Sequence, residues 1–231
     1  MVGRRAERKQ LSADALFSLV RSGLAMISDH RVGNTEISLT DAMMSAFGMF
    51  SLKCPSLLQF DQQQRANENL QSVYKIDRVP SDTQMRTILD SLEPDLLRPM
   101  FNDVFRQLQR GKALEPYVFH DGCYLVSMDG TGYFSSKKIH CESCLQKKNS
   151  KTGEITYHHQ MLGAAVVHPD HKQVIPLAPE PIIKQDGDNK NDCERNAGKR
   201  LLQKIRDEHP NVKLIIVEDG LASNAPHIRH L

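Results

Sequence analysis

The sequence predicts an α/β domain built on an incomplete mixed sheet, preceded by an all-α domain. Three observations lead there. Apolar residues recur at three- and four-residue spacing through the first half, with no strand-like alternation to interrupt them. After Gly111 the pattern gives way to apolar runs separated by turn residues, in the order three strands, a helix, a strand and the start of another helix. Two of those runs, 123–128 and 212–218, close in the same way, with Asp129-Gly130 and Asp219-Gly220.

In the first half, Leu16, Leu19, Val20, Gly23, Leu24 and Ile27 share one helical face, with Ser12 placed as the cap. Thr40 is expected to cap a second helix whose stripe is Met43, Ala46, Phe47 and Phe50, closed by Lys53-Cys54-Pro55. A polar helix carrying Gln62, Gln63, Gln64 and Arg65 comes next. In VPSDTQMRTILDSL, Pro80 bars a helix before it, Ser81 caps, and Gln84 stands at the capping-box position. Met85, Ile88, Leu89 and Leu92 then form one face. Glu93-Pro94 breaks that helix and starts another, with Leu97, Phe101, Val104, Phe105 and Leu108 inward. Two short helices around a tight turn fit either a helix-turn-helix or a plain helical hairpin in a bundle, and Arg78 and Arg86 are solvated charges in the second case.

The second half supplies strands at 123–128, 157–168 and 173–183, the last broken by Pro176, Pro179 and Pro181. A helix over 192–209 carries Leu201, Leu202 and Ile205 and ends at Pro210. VKLIIVE follows, apolar throughout its centre as in a strand covered on both faces. A last helix opens near Ser223-Asn224-Ala225-Pro226.

Length and composition limit the function classes. The 231 residues hold one large domain or two of ordinary size, and the 39% hydrophobic and 25% charged content argues against disorder. A formal net charge of +2 permits nucleic acid as a partner without pointing to it. The basic opening MVGRRAERKQ is followed by Ser12, Asp14, Ser18, Arg21 and Ser22, not by the apolar region of a signal peptide. No stretch is long and apolar enough to span a bilayer, so a cytoplasmic location and no membrane partner are expected. Five cysteines, an odd and scattered set, fit a reducing compartment.

Asp129 and Asp219 are the first chemical candidates. If their strands are parallel neighbours, the two carboxylates lie side by side, where they repel unless a proton or divalent cation sits between them. Oxygen ligands favour Mg²⁺ or Mn²⁺ over zinc. For either Asp-Gly alone, ordinary turn chemistry suffices. The second candidate is His140-Cys141-Glu142-Ser143-Cys144, in which Cys141 and Cys144 form half a tetrahedral Zn²⁺ site. His158 or His159 can add a ligand, but alternation along a strand lets only one of them face the turn, and His159 is the candidate taken. Unligated thiols in a hairpin loop are the plain alternative. Lys137, Lys138, Lys147, Lys148 and Lys151 flank this turn, either to touch phosphates or as a solvated loop.

SMDGTGYFSSKKIHC, TYHHQMLGAAVVHPDHKQVIPLAPE, QDGDNKNDCERNAGKRLL and LIIVEDGLASNAPHI together resemble the N-terminal part of the catalytic domain of bacterial insertion-sequence transposases of the DDE type. The resemblance covers residues 117–231, and the helical region before it is similar to that family's N-terminal domain more loosely. It implies an RNase H-like catalytic domain over 116–231 and a helical, DNA-binding domain over 1–115. It also implies DNA partners (transposon ends and target) and metal-dependent strand cleavage and transfer in the full-length form. Asp129 stands at the family's first catalytic aspartate and Asp219 at its second. The family's later glutamate has no counterpart before Leu231, so the resemblance is to a C-terminally truncated transposase. RNase H enzymes carry a metal-binding glutamate on the helix before the second aspartate, which makes Glu194 an auxiliary ligand candidate. An acid in a first helical turn also simply complements the dipole. Asp186 and Asp188 fall in a Gly- and Asn-rich loop and are expected to be solvated. In such a sheet the strand with the second aspartate lies between the first strand and a fifth. With no fifth strand here, 212–218 is expected to be an exposed edge prone to self-association. Two other readings remain: a DNA-binding or regulatory fragment that does not cut, and a compact nuclease using Asp129, Glu194 and Asp219.

Overall fold

Local capping decides where the first helices begin. Ser12 Oγ accepts the Ala15 N–H at 3.3 Å and Ser38 Oγ accepts the Asp41 N–H at 2.9 Å, each satisfying a donor that an opening helical turn leaves unbonded. The second cap is therefore Ser38 and not Thr40, which lies inside the helix. At Ser81 the full capping box forms, with Ser81 Oγ accepting the Gln84 N–H at 3.3 Å and Gln84 Oε1 accepting the Ser81 N–H at 3.1 Å. The computed structural model describes residues 10–33, 35–64, 67–184, 193–219 and 228–229. Asp186, Asp188, Asp192 and the helix expected near Ser223 lie outside them.

The chain divides into two compact units, Met1–Ala113 and Leu114–Leu231. The described part of the first contains helices α1 (Ala13–Ala25), α2 (Leu39–Ser51), α3 (Leu57–Gln64), α4 (Glu68–Ser72), α5 (Asp82–Leu89) and α6 (Arg98–Arg110), with a 3₁₀ turn at Pro94–Leu97. Met44, Phe60, Leu70, Ile76 and Met85 are fully buried at its centre. Beside them Phe17, Phe47 and Tyr74 pack as a trio of rings, with centroids 4.9–6.1 Å apart. Residues of α5 and α6 (Met85, Ile88, Met100, Val104) all join this core. Phe50, expected on the buried stripe of α2, is 75% exposed, because that helix turns Ala42, Met43, Met44 and Met49 inward instead. Asp41 is buried in the same helix. It accepts from Arg21 Nη1 at 2.9 Å and from the backbone N–H groups of Asp77 and Arg78 at 3.4 Å each.

The second unit is a mixed sheet with a helix. Its strands are β1 (Tyr124–Ser136), β2 (Leu145–Lys148), β3 (Ile155–Val167), β4 (Ile175–Pro176), β5 (Glu180–Ile182) and β6 (Leu214–Val217), with helix α7 (Glu194–Glu208) between β5 and β6. The order is β2-β3-β1-β6, with β4 and β5 also paired to β3. β1 is antiparallel to β3 and parallel to β6, so it is central, and β6 forms an edge among the described residues. Ala197, Leu201 and Ile205 of α7 are buried, as are Val126, Met128, Leu162, Ala164 and Val166 of the sheet. An ion cluster ties helix to sheet: Glu180 on β5, 4% exposed, accepts from Arg200 Nε at 2.7 Å and Lys204 Nζ at 2.8 Å.

One expectation needs correction. Asp129 does not end its strand, because β1 runs on through Gly130, Thr131 and Gly132 to Ser136. The reason is β3, whose ladder continues past it with Asp129 opposite Gly163, Gly130 opposite Leu162 and Gly132 opposite Gln160. What ends near Asp129 is the other partnership, since β6 pairs β1 only as far as Ser127.

Candidate functional site

Asp129 sits where β1 loses one of its two neighbours. The parallel register ends with Ser127 opposite Val217, and Asp129 and Asp219 each follow two residues later. Neighbouring strands run about 4.8 Å apart, and residues level with each other on parallel strands project to the same face. Both aspartates are exposed. Two carboxylates far apart in the sequence thus each follow, by two residues, the last paired residue of a central strand and its parallel neighbour.

Glu194 reaches the same strand from α7. Gly130 has no side chain on that side, and a Cβ added there would collide with Glu194 Oε1, with Cδ only 2.6 Å away and Cγ 3.1 Å away. The glycine leaves the space that the carboxylate fills. Pleating directs residues 129 and 130 to opposite faces, so Glu194 is held against the face of the strand opposite the Asp129 side chain. The carboxylates of Asp129 and Glu194 make no hydrogen bond or ion pair among the described residues. The three acidic groups do not form a tight one-ion cluster, since the only set of three Cys, His, Asp or Glu ligand atoms within 4.8 Å of one another among the described residues lies elsewhere. Carboxylate oxygen is the donor type that Mg²⁺ and Mn²⁺ prefer.

That tight set is Cys141, Cys144 and His159. The Cys-x-x-Cys turn closes through the Cys144 N–H donating to the Cys141 carbonyl at 3.3 Å, and the Cys141 N–H points at Cys144 Sγ, also at 3.3 Å. His159 Nε2 lies 3.3 Å from each sulfur, and the sulfurs are 3.7 Å apart. Burial pushes the Cys144 thiol up and the His159 imidazole down from their ordinary pKa values. The β2–β3 register favours His159 over His158, since Leu145 lies opposite His158 and the preceding Cys144 is therefore level with His159. A shift between Gly132 and Phe134 leaves Tyr133 as an extra residue in β1, putting Phe134 opposite His159 and Ser135 opposite His158. The Tyr133 ring then stacks on the His159 ring at 5.8 Å. Of the flanking lysines, Lys137 is paired with Glu154 at 2.8 Å.

Sequence reasoning singled out Asp129, Asp219, Glu194, Cys141, Cys144 and His159, of which the structure gathers Cys141, Cys144 and His159 into one tight cluster. It did not find the role of Gly130, whose only signal was a glycine inside what proved to be a continuous strand. No helix among the described residues is long and apolar enough to cross a membrane. No protein-family model, curated protein or solved structure matches the chain.

Proposed function

We propose that the second unit is an RNase H-like catalytic domain of the DDE-transposase kind, acting on DNA in the cytoplasm, with the helical unit binding the duplex. One observation supports the reading: β6 pairs in parallel with the central β1, and Asp129 and Asp219 each follow two residues after the last pair, Ser127–Val217. Asp129 and Asp219 supply the oxygen donors for Mg²⁺ or Mn²⁺. When bound, such ions polarise a phosphodiester and activate water or a 3′-hydroxyl for in-line attack. The chain's own contribution is placement. β1, laddered to β3 from Leu125 to Gly132 and again from Phe134, holds Asp129 in a paired stretch, while Gly130 lets the Glu194 carboxylate stand close to the backbone. DNA ends and target are the partners in this reading, and the β6 edge is where a second copy adds.

The test is Mn²⁺ titration calorimetry on the intact chain and on Asp129→Asn and Asp219→Asn. Each substitution removes an anionic ligand and is expected to weaken binding by at least about tenfold, ~1.4 kcal/mol, with an unchanged circular dichroism spectrum. A wild-type chain that takes up no Mn²⁺, or variants that bind it as well as wild type, overturns the proposal. Duplex binding should also weaken steeply with salt, as phosphate contacts require.

The alternative reading is a compact nuclease using Asp129, Glu194 and Asp219, although Glu194 stands against Gly130 on the face opposite the Asp129 side chain. A metal-dependent nuclease activity abolished by Glu194→Gln selects it. Activity that survives Glu194→Gln and fails in Asp129→Asn rejects it.

A further inference from the structure

We propose that Cys141, Cys144 and His159 bind one Zn²⁺ tetrahedrally, with water in the fourth position, and that this ion holds together the arm formed by the far end of β1, β2 and the start of β3. The distances fit first. With Zn–S near 2.3 Å and Zn–N near 2.0–2.1 Å, tetrahedral geometry sets sulfurs ~3.8 Å apart and sulfur to nitrogen ~3.6 Å. The three separations here are 3.7, 3.3 and 3.3 Å. A disulfide between these cysteines needs the sulfurs at about 2.05 Å, so the turn is set for a shared ligand and not for a bond. The Cys141 N–H aimed at Cys144 Sγ is a donor suited to stabilising a thiolate.

The second argument is what the arm lacks. From Thr131 to Glu154 only Cys144 and Leu145 are buried, while Tyr133 and Ile139 are 61% and 71% exposed. β2 pairs with β3 alone, over four residue pairs. A ribbon of that size with almost no apolar interior is marginal in water, and small units of this kind are held by metals or disulfides. Cys144 is fully buried and anchors the turn, His159 belongs to the long β3, and Cys141 is exposed. A zinc ion therefore joins the loop to the strand on its protein side and meets solvent on the other, which leaves the fourth position to water. Zinc here is separate from the carboxylate site: its ligands are sulfur and imidazole, and they lie on the arm beyond the β1 irregularity that follows Gly132.

The test uses the full chain, expressed with zinc in the medium and purified anaerobically without chelator. Metal analysis is expected to give one zinc per chain. Cys141→Ser, Cys144→Ser and His159→Asn should each lower the content by an order of magnitude or more, while His158→Asn and Cys123→Ser retain it. Should a variant misfold, Co²⁺ titration of the wild-type chain decides alone, through the thiolate charge-transfer and tetrahedral d–d absorption that a Cys₂His site produces. Chelation should also release hydrogen-exchange protection in Leu145–Lys148 while leaving the β1–β6 ladder protected. Substoichiometric zinc in the wild type, absence of the cobalt bands, equal loss in His158→Asn, or arm protection insensitive to chelator overturns the proposal.

Discussion

Gly130→Ala puts the contact between β1 and α7 to a quantitative test. The new methyl meets the Glu194 carboxylate, whose Cδ is 2.6 Å from the Cβ position. Carbon atoms in contact prefer about 3.5–4.0 Å, so the carboxylate has to retreat by roughly 1 Å. Glu194 is exposed and opens its helix, so it yields by turning its side chain, at a cost of ~0.5–1.5 kcal/mol if it leaves its rotamer. Replacing glycine in a strand interior returns ~0.5–1 kcal/mol. The net change in stability should lie within about 1 kcal/mol of zero. In a Glu194→Ala background the collision is gone, and the same Gly130→Ala should then stabilise by ~0.5–1 kcal/mol. Urea unfolding of the four proteins closes the cycle, and a coupling of ~0.5–1.5 kcal/mol is expected. Additivity within ~0.3–0.5 kcal/mol refutes the contact. A loss of ~3 kcal/mol or more from Gly130→Ala alone means that packed backbone, not a mobile carboxylate, fills that space.

Two further outcomes concern the rest of the molecule. Asp41→Ala removes the acceptor of Arg21 and of two backbone N–H groups inside the helical unit, and because Arg21 retains 25% exposure the cost should be ~2–4 kcal/mol in urea unfolding. A change under ~0.5 kcal/mol would show that this buried carboxylate organises nothing. At the other end of the chain, β6 has one strand neighbour among the described residues, so the exchange of its outward amides over Leu214–Val217 should slow as protein concentration rises if a second copy adds there. Protection that is strong and independent of concentration refutes self-association through this edge.

Features carried by residues three or four apart were open to sequence reasoning. The Ser12 cap, the Ser81–Gln84 capping box and the Cys-x-x-Cys turn each need only local backbone, so residue type and spacing determine them. The parallel pairing of the two apolar runs that precede Asp129 and Asp219 was also within reach, because two similar runs ending alike imply one sheet. Tertiary structure decided the rest. Whether Ser38 or Thr40 caps α2 turns on backbone dihedrals two residues apart, and both hydroxyls suit the task. Asp41 is buried because Arg21, Asp77 and Arg78 come to it from distant segments. β1 continues past Asp129 because β3 supplies partners for its backbone, and a strand ends where its neighbours end and not where its apolar residues do. His159 rather than His158 faces the cysteines because the β2–β3 register sets Leu145 opposite His158 and so Cys144 level with His159, and period-two alternation fixes only that the two differ. Gly130 stands for an empty volume, and only the arrival of α7 shows that Glu194 occupies it.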